Sequence, residues 1–372
     1  MRDFVKLNRI VVKVGTSTLT AGGDKLDLAR MVDLVRQVCD LTTAGHQIVL
    51  VSSGGIAAGR EQMNFPALAH FMPAKQMLAA VGQPRLMAIY TQLFSLYQQQ
   101  IAQVLLTRDD LLDRRRYLNA RNTLEALLSY GVLPIVNEND TIATEEIRFG
   151  DNDNLSALVA NVLEADLLLL LTDQDGVFTA DPRRDPKAAL IQQIDEEIPE
   201  VVLAGARESG NGLGTGGMVS KLGAADLARR SGAAVIIANG SVGQVISRVI
   251  GGEPLGTYFS PQGSHLESRK RFLLAGIKDT SGAVVIDDGA VKALRKGGSL
   301  LPVGILSTIG TFNRGQSVTI YDQNQDPVGV GLTHYDVDEV NRIAGKQSDE
   351  IEPILGYAYG SEVVHHNNLV LY

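Results

Sequence analysis

Six apolar runs constrain the fold more than anything else in this chain: RIVVKVG (9–15), HQIVLVSSGG (46–55), IAQVLLT (101–107), VLPIVNEND (132–140), DLLLLLTD (166–173) and AAVIIANG (233–240). Each is nearly continuous in Val, Ile, Leu and Ala instead of alternating with polar residues. A strand of that kind has to be covered on both faces, as strands are in parallel sheets flanked by helices. Segments with helical period lie between them: LARMVDLVRQVCDLTTAG (28–45), NARNTLEALLSYG (119–131) and SALVANVLEA (156–165). Gly45 and Gly131 end two of these and suit C-terminal caps. The alternation predicts an α/β fold, an αβα sandwich around a mostly parallel sheet, with ligands gathered at the carboxyl ends of the strands.

The rhythm changes at GGEPLGTYFSPQGSHLESRKR (251–271). Beyond it, GAVVIDDGA, SVTIYD and VGVGLTHY are short and closely spaced by turn residues, which predicts a small β-rich module. The expected organisation is an α/β catalytic domain over 1–260, a linker over 261–277, the β-rich module over 278–358 and a C-terminal tail over 359–372. A chain of 372 residues is long enough for two such cores. With 45% hydrophobic and 20% charged residues it has the profile of a folded domain, and a net charge of −8 disfavours wholesale binding to nucleic acid or anionic membrane. No basic half hides in that average, because residues 260–372 carry 10 Lys and Arg against 13 Asp and Glu. Cys39 is the sole cysteine, so no internal disulfide forms and a reducing cytoplasm fits. Charges interrupt the start, MRDFVKLNRIVVKVG, so no signal peptide is expected, and no apolar run reaches membrane-spanning length.

Several familiar chemistries are missing. The sequence has no G-x-x-x-x-G-K-[ST] loop, no H-E-x-x-H and no G-x-S-x-G, and its six histidines are scattered. In IRFGDNDNLSALVA (147–160), four Asp and Asn residues precede a helix, where one would suffice as a cap. Asp151 and Asp153 begin like an EF-hand, but the required Gly and terminal Glu are absent. NGLGTGGMVSK (211–221) holds a literal G-x-G-x-x-G, yet no strand precedes it, which excludes a dinucleotide fingerprint. It leads into the helical MVSKLGAADLARR, so it is either a surface loop or an anion site at a helix start, with Lys221 solvated or facing the anion.

Lys13 interrupts an apolar strand just before Gly15, Thr16 and Ser17; it either snorkels to water or meets an anion. Ser53, Gly54 and Gly55 leave a strand end open to close backbone approach. VNEND (136–140) and the pair Thr172 and Asp173 end two other strands as turns or as ligand contacts. Their common requirement is a site that binds anions without a histidine or cysteine nucleophile. Phosphoryl transfer to an already ionised acceptor needs that set: no general base, but lysines, Mg²⁺ and helix N-termini to relieve repulsion.

In this order, VVKVGTSTLT, VSSGGIAAGR, LPIVNENDTIAT, GDNDNLSALVA, LLTDQDGVFTADPR and GLGTGGMVSK resemble the glutamate 5-kinases of the amino acid kinase family, and the module after residue 278 resembles a PUA domain. The resemblance implies ATP-dependent phosphorylation of L-glutamate to L-glutamyl 5-phosphate, the first step of proline synthesis, with Mg²⁺. By position it implies that Lys13 and Lys221 hold the phosphoryl group and that Asp153 orients both. Ser53, Asp140 and Asn152 then bind glutamate with Asn137 nearby. ATP meets Lys13, Gly15, Thr172, Asp173 and the loop Thr215, Gly216, Gly217, Met218, Val219, Ser220 and Lys221. Gly55 stands where the resemblance leads one to expect alanine. Feedback inhibition by proline, a homo-oligomer (a tetramer) and hand-over to a glutamyl phosphate reductase also follow from the resemblance.

Two alternatives compete. Another acceptor (aspartate, acetylglutamate, carbamate or UMP) would keep the same chemistry. An RNA-binding regulator would work through the PUA-like module, using Arg269, Lys270 and Arg271 and the KALRKGG segment. The acidic balance of that module opposes the second, since attraction to phosphates normally dominates RNA binding.

Overall fold

The computed structural model describes residues 7–66, 72–143, 152–200, 202, 203, 206, 217–264 and 282–372. Its backbone divides into two compact units, one of residues 1–111 and 120–265, the other of 112–119 and 266–372.

The first unit runs β1 (Arg9–Val14), α1 (Thr16–Leu19), α2 (Leu28–Thr43), β2 (Gln47–Ser52), α3 (Gly55–Gln62), α4 (Met72–Ser95), β3 (Ile101–Leu106), α5 (Arg108–Leu112), α6 (Arg114–Ser129), β4 (Leu133–Glu138), α7 (Asn152–Val162), β5 (Leu167–Thr172), β6 (Gln193–Ile194), α8 (Met218–Arg230), β7 (Ala234–Asn239), α9 (Val245–Ile250) and β8 (Thr257–Phe259). The strands form one sheet in the order β3-β4-β2-β1-β5-β7-β8-β6. Every pair from β3 through β7 is parallel, and β8 alone runs antiparallel to its neighbour β7. The six apolar runs are the six parallel strands, as their composition requires.

Alternation along each strand divides the side chains between two faces. Ile10, Val12 and Val14 of β1, Ile48 and Leu50 of β2, and Leu167, Leu169 and Leu171 of β5 join one core with Met31, Leu34 and Val38 of α2 and Leu86, Tyr90 and Phe94 of α4. Val11 and Lys13 belong to the opposite face, which α7 and α8 cover. This is the expected αβα arrangement. Helix α2 ends at a left-handed Gly45 with φ +95°, and Gly131 has φ +69°, as the caps require.

The second unit comprises β9 (Gly282–Ile286), α10 (Asp288–Arg295), β10 (Ile305–Gly310), β11 (Ser317–Tyr321), β12 (Pro327–Leu332), α11 (Val337–Ile343), α12 (Ile351–Leu355) and β13 (Leu369–Leu371), with sheet order β10-β9-β11-β12-β13. Two features differ from the sequence expectation. Residues 359–372 are no tail: β13 pairs antiparallel with β12, and Val363 and Val364 are fully buried in this unit's core. Residues 112–119 join this unit too, with Leu118 packed against Val330, Leu332 and Val370, and Arg314 donating to Asn119 Oδ1 at 2.7 Å. The linker basic cluster at 269–271 lies outside the described residues.

Candidate active site

Because β1, β2, β4, β5 and β7 are parallel, their carboxyl ends share one edge. Backbone bonds hold the exits together there: Ser53 N–H donates to Val14 O at 3.0 Å, and Gly240 N–H to Thr172 O at 2.7 Å. Gly54, at φ +102°, turns the chain from β2 into α3 in a conformation that suits glycine.

Three charges meet on the face under α7 and α8. Asp153, in the first turn of α7, has no solvent exposure. Lys13 Nζ of β1 lies 2.5 Å from its Oδ1, and Lys221 Nζ of α8 lies 3.1 Å from its Oδ2. Ser220 Oγ donates to the same Oδ2 at 3.0 Å. Both lysines are buried as well. Burial by itself raises the Asp153 pKa, but the charges of Lys13 and Lys221 and their hydrogen bonds outweigh it and hold the carboxyl ionised, below its ordinary range. The start of a helix also favours a carboxylate. Among the described residues, two cations meet one anion here, and buried charges of this kind are costly unless matched. Gly15 lies beside this cluster: a Cβ there would be 3.5 Å from Lys13 Nζ, an ordinary contact.

A second group, made of amides, adjoins it in sequence. Asn152, next to Asp153, donates through Nδ2 to Asn137 Oδ1 at 2.9 Å and to Ser53 Oγ at 3.0 Å. Asn137 in turn donates through Nδ2 to Gln83 Oε1 at 2.8 Å. Two strand exits, those of β2 and β4, are thereby joined through α7 and α4. Asp140, two residues past β4, is a carboxyl whose pKa burial pushes up to about 6. Thr172 is buried at the end of β5 and donates through Oγ1 to Asp173 Oδ1 at 3.0 Å. Gly217 is the N-cap of α8, followed by Met218 and Val219, so the glycine-rich segment does run into a helix. Thr215 and Gly216 lie outside the described residues, as does Asp151.

The structure thus brings Lys13, Asp153, Ser220 and Lys221 into one cluster, and Ser53, Asn137 and Asn152 into another. Sequence inspection missed Gln83, which sits inside a long helix beside a glycine and a proline and carries no local signal of a role.

Two lysines distant in sequence thus meet on one buried aspartate at the carboxyl edge of a parallel sheet. The model of the amino acid kinase family matches residues 8–239.

The chain belongs to the amino acid kinase family.

The PUA domain model matches residues 282–355, so the second sheet belongs to a PUA domain that follows the amino acid kinase domain. Among curated relatives, glutamate 5-kinase of Shewanella oneidensis is 52% identical across 99% of this chain and 98% of its own. Glutamate 5-kinase of Aliivibrio salmonicida is 53% identical across 97% and 98%, and that of Deinococcus radiodurans 50% across 98% and 99%. The solved UMP kinase of Ureaplasma parvum aligns over 68% of this chain and 99% of its own with a TM-score of 0.47 and 14% identity. The amino acid kinase match covers every parallel strand and both lysine-bearing elements.

Proposed function

We infer that this chain is a kinase that transfers the γ-phosphoryl group of ATP to the γ-carboxylate of L-glutamate, giving ADP and L-glutamyl 5-phosphate, which is the first step of proline synthesis. The observation that carries this is the buried Lys13–Asp153–Lys221 cluster in a chain half identical to glutamate 5-kinases along nearly its whole length.

The chemistry follows from charge. Glutamate's γ-carboxylate is already ionised near neutral pH and needs no base. The barrier is repulsion between it and the γ-phosphate, together with the charge that spreads over the transferring oxygens. Lys13 from β1 and Lys221 from α8 supply two ammonium groups to that charge. Asp153 holds both chains extended toward one point, so little reorganisation is needed as charge develops. Asn152, Asn137, Ser53 and Asp140 form the acceptor shell, with Asp140 the partner of the substrate ammonium through a charge-assisted hydrogen bond. Gly15, Thr172, Asp173 and the segment from Thr215 to Lys221 form the nucleotide shell.

Mg²⁺ enters with the nucleotide. A Mg²⁺ of this kind would be carried on phosphate oxygens with few protein ligands. When bound, it neutralises phosphate charge. Asp153 is not its ligand here, since Lys13, Lys221 and Ser220 take its oxygens.

Among the described residues no helix is long and apolar enough to cross a membrane. The single cysteine, Cys39, fits a reducing cytoplasm, to which we assign the chain. Proline as feedback inhibitor, a tetrameric assembly and transfer of the product to a reductase complete the proposal. The test is ATP-dependent hydroxamate formation with hydroxylamine present. L-glutamate is expected to give product, and aspartate or acetylglutamate little; ADP release should likewise be slight with carbamate or UMP. A preference for any of those other acceptors would overturn the assignment.

A further inference from the structure

The amides in the acceptor shell form a chain with a fixed direction. Asn137 Oδ1 accepts the backbone N–H of Glu138 at 2.9 Å. A backbone N–H is always a donor, so it settles which end of the Asn137 amide is oxygen, an assignment that side-chain amides alone leave open. The same Oδ1 takes Asn152 Nδ2 at 2.9 Å, which turns Asn152 Oδ1 away. On the other side, Asn137 Nδ2 can only donate, so Gln83 must offer its oxygen, and does at 2.8 Å. Two buried polar atoms remain at the ends of this chain without a hydrogen-bond partner: Asn152 Oδ1, an acceptor, and Gln83 Nε2, a donor. A buried unpaired group is costly, and one that persists points to a ligand that pairs it.

The backbone explains why Gln83 reaches Asn137. Helix α4 rests on the start of α3 at a glycine contact: a Cβ on Gly82 would lie 1.9 Å from Gly55 O. Gln83 is the next residue, and a Cβ on Gly55 would come within 3.2 Å of its Oε1. Glycine at both positions keeps this passage open.

We propose that Gln83 is a positioning residue for the phosphoryl acceptor: its Oε1 holds Asn137 Nδ2 and, with the Glu138 N–H that sets the polarity, anchors the Asn137 amide so that Asn152 presents Oδ1 to the ammonium of an α-amino acid. This rests on the assignment of glutamate as acceptor. Gln83 acts through its neighbours, so its loss falls on acceptor binding and leaves nucleotide binding alone.

Two substitutions separate this from simple packing. Gln83→Met keeps size and removes the acceptor for Asn137 Nδ2. It is expected to raise KM for glutamate about tenfold, as the loss of one hydrogen bond would, with KM for ATP unchanged. Gln83→Glu keeps an oxygen facing Asn137 and is expected to restore most of the affinity. An unchanged glutamate KM in Gln83→Met, or a Gln83→Glu protein as poor as Gln83→Met, would overturn the proposal. Side-chain amide NMR signals of Asn137 and Asn152 in the ligand-free protein give a substrate-independent readout. They are expected to shift together in Gln83→Met, and stationary signals also overturn the proposal. Wild-type protein without glutamate-dependent hydroxamate formation would instead sink the acceptor assignment, while the NMR comparison still judges the amide chain.

Discussion

Lys221 shows how position alters the meaning of a residue. In sequence it is one lysine on a helix; in the structure it is buried and 3.1 Å from the carboxylate that also holds Lys13. Its ammonium should interact more strongly with the transition state than with bound ATP. Lys221→Ala is therefore expected to lower kcat by about 100-fold or more, the scale seen when one preorganised donor to a transition state is lost. Single-turnover rates at saturating substrates measure this directly, and near-normal turnover would remove Lys221 from the chemistry. Asp140 offers a pH test. Burial lifts its pKa to about 6, so it is anionic above that pH and neutral below it. A neutral carboxyl loses its charge attraction to the substrate ammonium. Glutamate kcat/KM is expected to fall about tenfold per pH unit below 6, on top of whatever other groups contribute. Asp140→Ala is expected to raise the glutamate KM steeply, to leave that for ATP nearly intact, and to abolish this limb of the pH profile. A glutamate KM unchanged by the substitution would remove Asp140 from the acceptor shell.

At the scale of elements, the parallel strands were legible because continuous burial leaves a continuous apolar run. The helix that carries Gln83 was not. Helix α4 contains Gly82 and Pro84, both unfavourable inside helices. Neither has a local reason to be there. Gly82 is needed because Gly55 O occupies the space a side chain would take. This gives an opposed pair of effects in Gly82→Ala. Helix propensity favours the alanine by about 1 kcal/mol, while a Cβ 1.9 Å from a backbone oxygen forces the two helices apart. Overpacking of that kind costs about 1–3 kcal/mol, and a backbone atom cannot rotate aside. The net expectation is a lower Tm together with a higher glutamate KM, since Gln83 moves with α4. A rise in Tm would show that the contact yields easily.

For the whole molecule, the final residues matter most. Read as sequence, VVHHNNLVLY is short and polar in its middle, which suggests an end. In three dimensions it supplies β13 and four buried side chains, Val363, Val364, Leu369 and Val370. At about 1.5–3 kcal/mol for each buried aliphatic side chain, their loss rivals the entire stability of a small domain. Removal of residues 359–372 is expected to abolish hydrogen-exchange protection in β9, β11 and β12. Retained protection there would mean that the PUA domain closes without its last strand. The grouping of residues 112–119 with this domain was equally hidden, because Leu118 finds its partners more than 200 positions away in Val330, Leu332 and Val370.

The sequence by itself determined the sheet, its parallel direction and the residue types at the strand exits. Those properties follow from composition and local order: apolar runs, turns and small residues at strand ends. The tertiary structure decided which of the polar residues face one another. Lys13, Asp153 and Lys221 meet only because β1, α7 and α8 pack together. Gln83 reaches Asn137 only because two glycines let α4 and α3 touch. Hydrogen bonds and ion pairs act over a few ångströms, and the chain separations they bridge here leave no periodicity for a reader of the sequence to find.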